Sequence, residues 1–454
     1  MSNDSNGSGS LGYKQELKRA LKTRDLVIYG MILMSPMAVV QMFGILTTVS
    51  QGHVVIAYLV AFVAMLFTAF SYGRMVEAFP VSGSTYSFTQ RSISPKLGFL
   101  AGWAILLDYV FVPMLLFVIS ANFANALFPT VPLWAWVLIY VAFTTIINYL
   151  GIELASLANL IIYAIMILAV IAFIVLAFRY SSTGAVDIIT PEAVYNKDSF
   201  QFPLMMNASA IAVLTYLGFD GITTLTEEAK VPAKKIGRAI FLACLIQTVI
   251  YIAVSYFATT LTLDYTQIGN VETVFFDISY TVGGSWFQIF MTLVNMLSGA
   301  SIALAAQIAA SRVLFGMGRD KMIPPKFFAH VHTKFKTPTY NIFLMAAISV
   351  AGALTISLDV IGEIVTFGAL FGFICVNLSV ISHYWIRAKE KLVFRNLIFP
   401  AIGFVVCVYI WLSLSSIGKA VGFTWLAIGI VYLVVRYVSS DDFKARLDEN
   451  AFKS

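Results

Sequence analysis

An acid lies between two glycines in the run Thr215-Tyr216-Leu217-Gly218-Phe219-Asp220-Gly221, in the middle of a long apolar segment. A proline lies at a comparable depth in the first apolar segment, in the run Leu33-Met34-Ser35-Pro36-Met37-Ala38. Proline removes a backbone hydrogen-bond donor and disfavours helix at the residue before it. Inside a membrane, non-helical backbone is tolerated only where it is packed in protein or lines a cavity. The two runs therefore predict two broken helices in matching positions, beside a ligand site near the membrane midplane.

The composition assigns the chain to the membrane. Of its 454 residues, 59% are hydrophobic and only 11% are charged, whereas soluble domains carry about 25% charged residues. Soluble, disordered, collagen-like and coiled-coil proteins are therefore excluded. The cysteines Cys244, Cys375 and Cys407 lie in apolar runs without CxxC spacing, so we expect no disulfide framework, no metal and no cofactor.

Twelve apolar stretches are long enough to cross about 30 Å of hydrocarbon. They are unbroken rather than alternating, so they predict helices and not barrel strands. The predicted fold class is an all-α integral membrane protein with twelve transmembrane helices. The predicted spans are 25–49, 54–76, 97–127, 133–150, 154–178, 204–226, 239–262, 286–316, 339–357, 361–386, 397–415 and 422–438.

The distribution of positive charge predicts the orientation. With the N-terminus in the cytoplasm, 26 of the 29 lysines and arginines fall on the cytoplasmic side. An even number of spans then returns the C-terminus to the same side. We expect a multi-pass protein of the plasma (inner) membrane with both termini in the cytoplasm and the lipid bilayer as its surroundings.

Two acids, Asp108 and Asp220, lie well inside the predicted spans, and no lysine or arginine lies at comparable depth. A charge at the bilayer centre costs about 2.5–3.5 kcal/mol on insertion scales, so each acid needs a partner or a watery cavity. A cationic substrate, a coupling proton or sodium ion, and water all remain open as that partner. A structural hydrogen bond is the alternative for each acid.

Residues around Asp220 suit an organic cation. Gly218 and Gly221 would let the backbone approach a ligand closely, and the rings of Tyr216 and Phe219 offer faces to an ammonium group. Phe367 and Phe371, in the tenth span, either form a gate or pack between helices. Their spacing alone does not separate the two.

The spans and their breaks, together with several motifs, resemble the amino acid, polyamine and organocation transporter family. The motifs are Phe79-Pro80-Val81-Ser82-Gly83-Ser84-Thr85-Tyr86 and Ser311-Arg312 through Gly318-Arg319-Asp320 to Pro324. Three others look especially like the bacterial putrescine importers: Gly218-Phe219-Asp220-Gly221 with Glu227-Glu228, Leu107-Asp108-Tyr109 with Pro113-Met114, and 376–382.

The resemblance implies the LeuT-type fold, with two inverted repeats of five helices that work by alternating access. On that basis we expect a cytoplasmic tail at 1–24, a ten-helix transport core at 25–386, two peripheral helices at 397–438 and a second cytoplasmic tail at 439–454.

The first break departs from the amino-acid carriers of this family. Those carriers are expected to present glycine-rich backbone whose N–H groups receive a carboxylate. Here Pro36 removes a donor and Met37 crowds the approach beside Ser35, so an amine without a carboxylate fits better. The fifth span also lacks the lysine that some members use for proton coupling, and its nearest polar residue is Asn159.

The leading hypothesis is a plasma-membrane importer of a small cationic polyamine, of which putrescine fits best, driven by a proton gradient or the membrane potential. Asp220 would hold one ammonium group, Asp108 the other, and Tyr216 and Phe219 would enclose the methylene chain. The candidate substrate-binding residues are Ser35, Pro36, Met37, Asp108, Tyr109, Tyr216, Gly218, Phe219, Asp220 and Gly221, and the candidate gate residues are Phe367 and Phe371.

Three other functions are weighed against this hypothesis. A proton-coupled amino acid importer of the same fold would use Ser35 and nearby backbone for the carboxylate and Asp220 for the α-amine. A membrane sensor or channel is less favoured because no connector is long enough for a signalling domain. An enzyme is least favoured, because no nucleophile with a base and no catalytic residue set appears within the spans. No nucleic-acid partner is expected.

Overall fold

The computed structural model describes residues 17–184, 186–187, 189–262, 264–269, 271, 273–356, 358–441 and 443–444, without the side chains of 126, 358 and 359. Most of the first predicted tail (1–16) and of the second (445–454) lies outside the described residues. The predicted all-α fold class is confirmed at the level of an all-helical chain.

The α-helices are numbered in chain order. They are α1 (Thr23–Met34), α2 (Ala38–Val49), α3 (Val54–Ala78), α4 (Ser84–Ser92), α5 (Pro95–Leu127), α6 (Leu133–Leu150), α7 (Ile152–Ser181), α8 (Phe202–Val213), α9 (Ala233–Thr260), α10 (Val274–Arg319), α11 (Pro325–Phe328), α12 (Thr339–Ala353), α13 (Leu358–Val380), α14 (Phe399–Leu412) and α15 (Ser416–Ser439).

Among the described residues, ten helical segments are long and apolar enough to cross a membrane, or eleven if α1 and α2 count as one bent span. The stretch predicted as the ninth span forms α12, which has only 15 residues. At about 1.5 Å per residue this helix is shorter than the hydrocarbon layer. Among the described residues, ten of the twelve predicted spans therefore correspond to segments of crossing length. The first span does so only if α1 and α2 are counted together, and the ninth does not.

The first predicted break is present between α1 and α2, which are bent by 41°. Helix α1 ends at Met34, and Ser35 adopts a positive φ of 54° before Pro36. The Ser35 hydroxyl oxygen then accepts a hydrogen bond from the Met37 N–H at 3.1 Å. Proline and this local serine turn together end the helix where the sequence predicts.

The second break follows α8. The chain continues through a short 3₁₀ turn (Leu214–Tyr216), passes Gly218 at a φ of 114°, and enters a 3₁₀ segment, Phe219–Glu228. Glycine is required at 218 because of this φ and because an added Cβ would lie 2.6 Å from the Cβ of Leu33. The second break is therefore packed directly against the end of α1.

Two long helices form the centre of the bundle. Helices α5 and α10 have 33 and 46 residues, and α10 is bent at Gly284, whose φ is 72°. Helices α14 and α15 lie at the edge and expose apolar side chains such as Val405 and Val434. An apolar exterior of this kind matches a hydrocarbon solvent.

Candidate functional site

A cavity of about 720 Å³ lies between the two helix breaks. We call the face of the bundle where α1 begins the N-terminal face. From the breaks, the cavity runs towards the opposite face, where its wall includes the exposed residues Asn207 and Ser413. Its wall is mostly apolar, and helices α2, α5, α8, α10, α13 and α14 contribute to it.

Asp108 is one of the acids on the cavity wall. The residue is 2% exposed, and its Oδ2 makes no hydrogen bond of normal geometry with the described residues. Helix α13 approaches α5 at this level: a Cβ added to Gly368 would lie 2.6 Å from the Ala104 carbonyl oxygen and 3.0 Å from the Asp108 nitrogen. The absence of a side chain at Gly368 therefore brings the two helices together beside Asp108.

Glu363 is the second acid on the same wall. Its Oε2 is buried and, like that of Asp108, has no hydrogen bond of normal geometry among the described residues. Thr366, one helical turn further along α13, lines the cavity as well. Among the described residues that line this cavity there is no lysine or arginine, so neither carboxylate has a counter-cation in the described part of the wall.

Asp220 does not line this cavity. It is fully buried at the start of the 3₁₀ segment, and its Oδ2 accepts a hydrogen bond from the Tyr109 hydroxyl. Tyr109 does line the cavity, as does Gly218. Asp220 therefore lies directly behind Tyr109, outside the cavity wall.

The other predicted substrate-binding residues are divided between the cavity and the core behind it. Ser35 lines the cavity, whereas Pro36, Met37 and Gly221 are not part of its wall. The Tyr216 hydroxyl is hydrogen-bonded to Thr248 Oγ1 at 3.0 Å, outside the cavity wall.

Phe219 also lies behind the wall. Its ring centroid is 5.6 Å from that of Tyr72 and 5.2 Å from that of Phe373. Such clustered rings form a packed base under the second break. The aromatic enclosure predicted for the methylene chain stays a prediction.

The candidate gate residues face the peripheral helices. Phe367 packs against Trp411 and Phe423, with ring centroids 5.0 and 5.4 Å away. Phe371 lies 6.0 Å from Trp411. Neither residue is part of the described cavity wall, and their gating role stays a prediction.

The backbone donors of the first break are already used within the protein. The N–H groups of Ser35 and Ala38 donate to the carbonyl oxygens of Met31 (2.9 Å) and Ser35 (3.1 Å). The Met37 N–H donates to Ser35 Oγ, and Pro36 has no N–H. The Ser35 hydroxyl is also hydrogen-bonded to Ser298 at 2.8 Å. This break therefore offers no spare N–H among these residues for an incoming anion.

Tyr251, on α9, connects the two breaks. Its hydroxyl lies 2.5 Å from the Met34 carbonyl oxygen and 2.8 Å from the Thr215 carbonyl oxygen. These carbonyls lack helical partners because both helices end here. Sequence reasoning missed Tyr251, and a lone tyrosine in an apolar span gave no signal of this role.

Two ion pairs lie between the cavity and the N-terminal face and close the path between them. Arg312 Nε lies 2.7 Å from Glu228 Oε1, and both side chains are 1% exposed. Arg319 Nη1 lies 2.8 Å from Glu227 Oε1, which also accepts the Ser82 N–H at 2.9 Å. The two acids end the 3₁₀ segment that begins beside Asp220, so this segment links the site to the closed face.

The family profile described as "Amino acid permease" matches residues 27–446, most of the chain. The chain belongs to the amino acid permease family. This confirms the family resemblance, and the permease is therefore a transporter that crosses its membrane several times.

Several curated relatives cover almost the whole permease. It is 35% identical over 426 residues to the low-affinity putrescine importer PlaP of Escherichia coli (strain K12), covering 92% of this chain and 93% of that protein. It is 25% identical over 447 residues to the branched-chain amino acid permease BcaP of Bacillus subtilis (strain 168), at 92% and 93% coverage. The methylthioribose transporter of Bacillus subtilis (strain 168) is 25% identical over 449 residues, at 92% and 94% coverage.

Proposed function

We propose that this permease imports a small organic dication of the putrescine class across the plasma membrane by alternating access. The proposal includes twelve spans, a LeuT-type core of two inverted five-helix repeats, and both termini in the cytoplasm. One observation carries it: the carboxylates of Asp108 and Glu363 share a cavity whose described lining residues include no lysine or arginine.

Electrostatics favour a cation in this position. Buried charges are normally paired, because an isolated ion in a low-dielectric interior is costly. Asp108 Oδ2 and Glu363 Oε2 are buried and make no hydrogen bond of normal geometry with the part of the chain that the structure describes. An ammonium group, which offers three donors and a full charge, supplies what each oxygen lacks.

The placement of the two acids favours a dication over a monocation. Glu363 precedes Gly368 by five residues on α13, and Gly368 packs beside the Asp108 nitrogen. Five helical residues advance about 7.5 Å, so Glu363 lies towards the mouth and Asp108 towards the breaks. A short aliphatic diamine fits this order, with its methylene chain against apolar wall residues such as Val112 and Leu116.

The first break disfavours a substrate carboxylate. Helix termini bind anions through unused N–H groups, and those of Ser35, Met37 and Ala38 are occupied. The likeness to PlaP points to the same substrate class. Import of an amino acid remains the second candidate because BcaP covers the chain equally well.

The arrangement of cavity and ion pairs supports alternating access. The cavity extends to the face opposite the N-terminal face, and the Glu228–Arg312 and Glu227–Arg319 pairs close the other side. Release to the cytoplasm would require these pairs to separate. An inside-negative potential favours entry of a cation by about 2.3 kcal/mol per charge per 100 mV.

We further propose a proton as the coupling ion, with Asp220 as its carrier. Asp220 is buried behind Tyr109 and is not among the described residues that line the cavity. A carboxyl group in that position can exchange a proton without displacing the substrate. The 3₁₀ segment from Asp220 to Glu228 would connect its state to the closing ion pairs.

Uptake of labelled putrescine into proteoliposomes tests the proposal. Removal of the Asp108 charge (Asp108→Asn) is expected to weaken putrescine uptake at least about thirtyfold, because truncating a buried charge pair costs about 2 kcal/mol or more. Asp264→Asn, which alters an exposed acid on the same face as the cavity mouth, serves as the matched control. Wild-type uptake by Asp108→Asn would overturn the proposed site. Transport of branched-chain amino acids without diamines would favour the second candidate.

A further inference from the structure

A second cavity, of about 310 Å³, lies between α3, α9 and the start of the α14 span, and its described lining includes none of the candidate substrate residues. We call it the arginine groove, and its charged lining residues are Arg74, Glu77, Arg238 and Arg395. Arg74 and Glu77 end α3, Arg238 lies in the second turn of α9, and Arg395 begins the Phe394–Leu412 span.

The groove lies at the N-terminal face, where one candidate membrane span ends and two others begin. Leu21, just before α1, pairs with Ala229, just before α9. Arg395 Nη2 lies 3.9 Å from Glu77 Oε2, which brings the α14 span to the end of α3. All three walls therefore carry their charges at the same membrane boundary.

Below these charges, the floor and the deeper part of the walls are apolar. Gly73 and Gly237 form the floor, and a Cβ added to Gly73 would lie 3.5 Å from the Gly237 Cα. Phe241 and Leu242 continue the wall along α9 towards the membrane centre and are 45% and 40% exposed. A basic cluster above an exposed apolar strip is complementary to a phospholipid, whose anionic headgroup would lie at the arginines and whose acyl chain would lie along the apolar strip.

Charge within the groove is unbalanced towards positive. Arg74 Nη1 lies 3.4 Å from Glu77, and Arg74 Nη2 lies 3.4 Å from Glu390. Three arginines thus face two acids, a balance of 3 − 2 = +1, and the Arg238 side chain is exposed on the outer wall. The Arg74 side chain is only 9% exposed, yet its Nε makes no hydrogen bond of normal geometry with the described residues.

We propose that the arginine groove binds one anionic phospholipid of the leaflet on the N-terminal face, with the lipid phosphate at Arg74, Arg238 and Arg395. Guanidinium groups bind phosphate through paired, charge-assisted hydrogen bonds. Basic pockets between membrane helices on the cytoplasmic side are suited to acidic headgroups. The acyl chain would lie against Phe241 and Leu242. A soluble phosphate compound has no acyl chain and could not make this contact.

Native mass spectrometry of the purified full chain with equal amounts of dioleoyl phosphatidylglycerol and dioleoyl phosphatidylcholine tests the proposal. Wild type is expected to retain phosphatidylglycerol in preference. In the double variant Arg238→Gln with Arg395→Gln, the preference for phosphatidylglycerol is expected to fall about 25-fold, because each arginine near an anionic lipid surface contributes about fivefold. Arg24→Gln, an exposed arginine outside the groove, is the matched control and is expected to behave as wild type.

A second comparison tests the acyl chain. Phe241→Ala is expected to weaken lipid retention. Val249 is exposed on the same helix but lies outside the groove, so Val249→Ala is expected to leave lipid retention unchanged. Millimolar glycerol 3-phosphate is expected not to displace the lipid. Equal retention by wild type and the double arginine variant overturns the proposal. Displacement by glycerol 3-phosphate with no effect of Phe241→Ala overturns the lipid assignment and indicates a site for soluble phosphate compounds. The variants alter exposed side chains, and size-exclusion chromatography checks that they fold.

Discussion

The Tyr109 hydroxyl donates a hydrogen bond to Oδ2 of the buried Asp220, while the same tyrosine lines the cavity. Tyr109 therefore links the cavity to Asp220, whereas Thr215 and Gly218 of the second break line the cavity directly. A ligand beside Asp108, the preceding residue on α5, would act on Asp220 through this side chain.

Removing the Tyr109 hydroxyl is expected to destabilise the permease. In Tyr109→Phe the buried Asp220 Oδ2 loses its donor, and hydrogen bonds to charged groups contribute about 1.5–3 kcal/mol. A double-mutant cycle with Asp220→Asn isolates this contribution, because the two residues are in direct contact. Unfolding of the four proteins in detergent is the measurement. Additive losses for the two single variants would contradict the proposed coupling.

Asp220→Asn is expected to uncouple transport from the proton gradient. If Asp220 carries the proton behind the wall, the variant still binds putrescine and exchanges it at equilibrium, but a pH gradient no longer drives accumulation. Exchange and gradient-driven uptake in the same proteoliposomes separate the two steps. Accumulation at wild-type levels would exclude Asp220 as the carrier. Loss of binding would instead return Asp220 to direct contact with an ammonium group.

The sequence predicted the breaks because their causes are local. Pro36 cannot donate a hydrogen bond, and Gly218 adopts a φ that other residues rarely reach. The direction of the Asp220 side chain could not be predicted in the same way. Asp220 lies in a 3₁₀ segment, in which successive side chains point in different directions from those of an α-helix. Its placement behind Tyr109 depends on how α5 packs, which a single sequence does not contain.

Glu363 is absent from the predicted site because it lies only two residues inside the predicted tenth span, which begins at 361. Helix α13 begins earlier, at Leu358, so Glu363 lies in its second turn, and its side chain lines the cavity. Helix ends are set by capping and tertiary packing and are read poorly from hydropathy. Phe367 illustrates the same limit, because only the fold shows that it faces Trp411.

Glu363→Gln is expected to reduce discrimination between diamines and monoamines. The variant removes the outer of two carboxylates, so putrescine should bind about tenfold more weakly, a loss of roughly 1.4 kcal/mol. A monoamine of the same chain length, held at Asp108 alone, should be little affected. Competition against labelled putrescine uptake measures both affinities. Equal losses for the two amines would show that Glu363 does not contact the second ammonium group.

The buried pair Glu228–Arg312 is expected to be essential for the stability of the closed N-terminal face. Glu228→Gln leaves Arg312 uncompensated at 1% exposure, and breaking such a pair costs about 3–5 kcal/mol. Glu153→Gln is the matched control: Lys18 Nζ lies 2.8 Å from Glu153 Oε2, but the side chains are 54% and 61% exposed. Thermal unfolding should separate the two variants clearly. Similar behaviour would mean that burial does not determine the contribution of the pair.

Tyr251→Phe tests whether one hydroxyl holds the two helix breaks together. The change leaves the carbonyl oxygens of Met34 and Thr215 without their shared donor, and a buried unsatisfied group costs about 1–3 kcal/mol. Tyr58→Phe is the matched control, because the Tyr58 ring lies 4.9 Å from that of Tyr251 and its hydroxyl makes no hydrogen bond of normal geometry with the described residues.

Tyr251→Phe should also reduce transport, because residues of both breaks line the cavity. We expect weaker putrescine binding together with a lower unfolding temperature, whereas Tyr58→Phe leaves both unchanged. If Tyr251→Phe lowers stability without affecting binding, the hydroxyl supports the fold alone. If Tyr58→Phe causes the same loss, ring packing rather than the hydrogen bonds to Met34 and Thr215 holds the breaks in place.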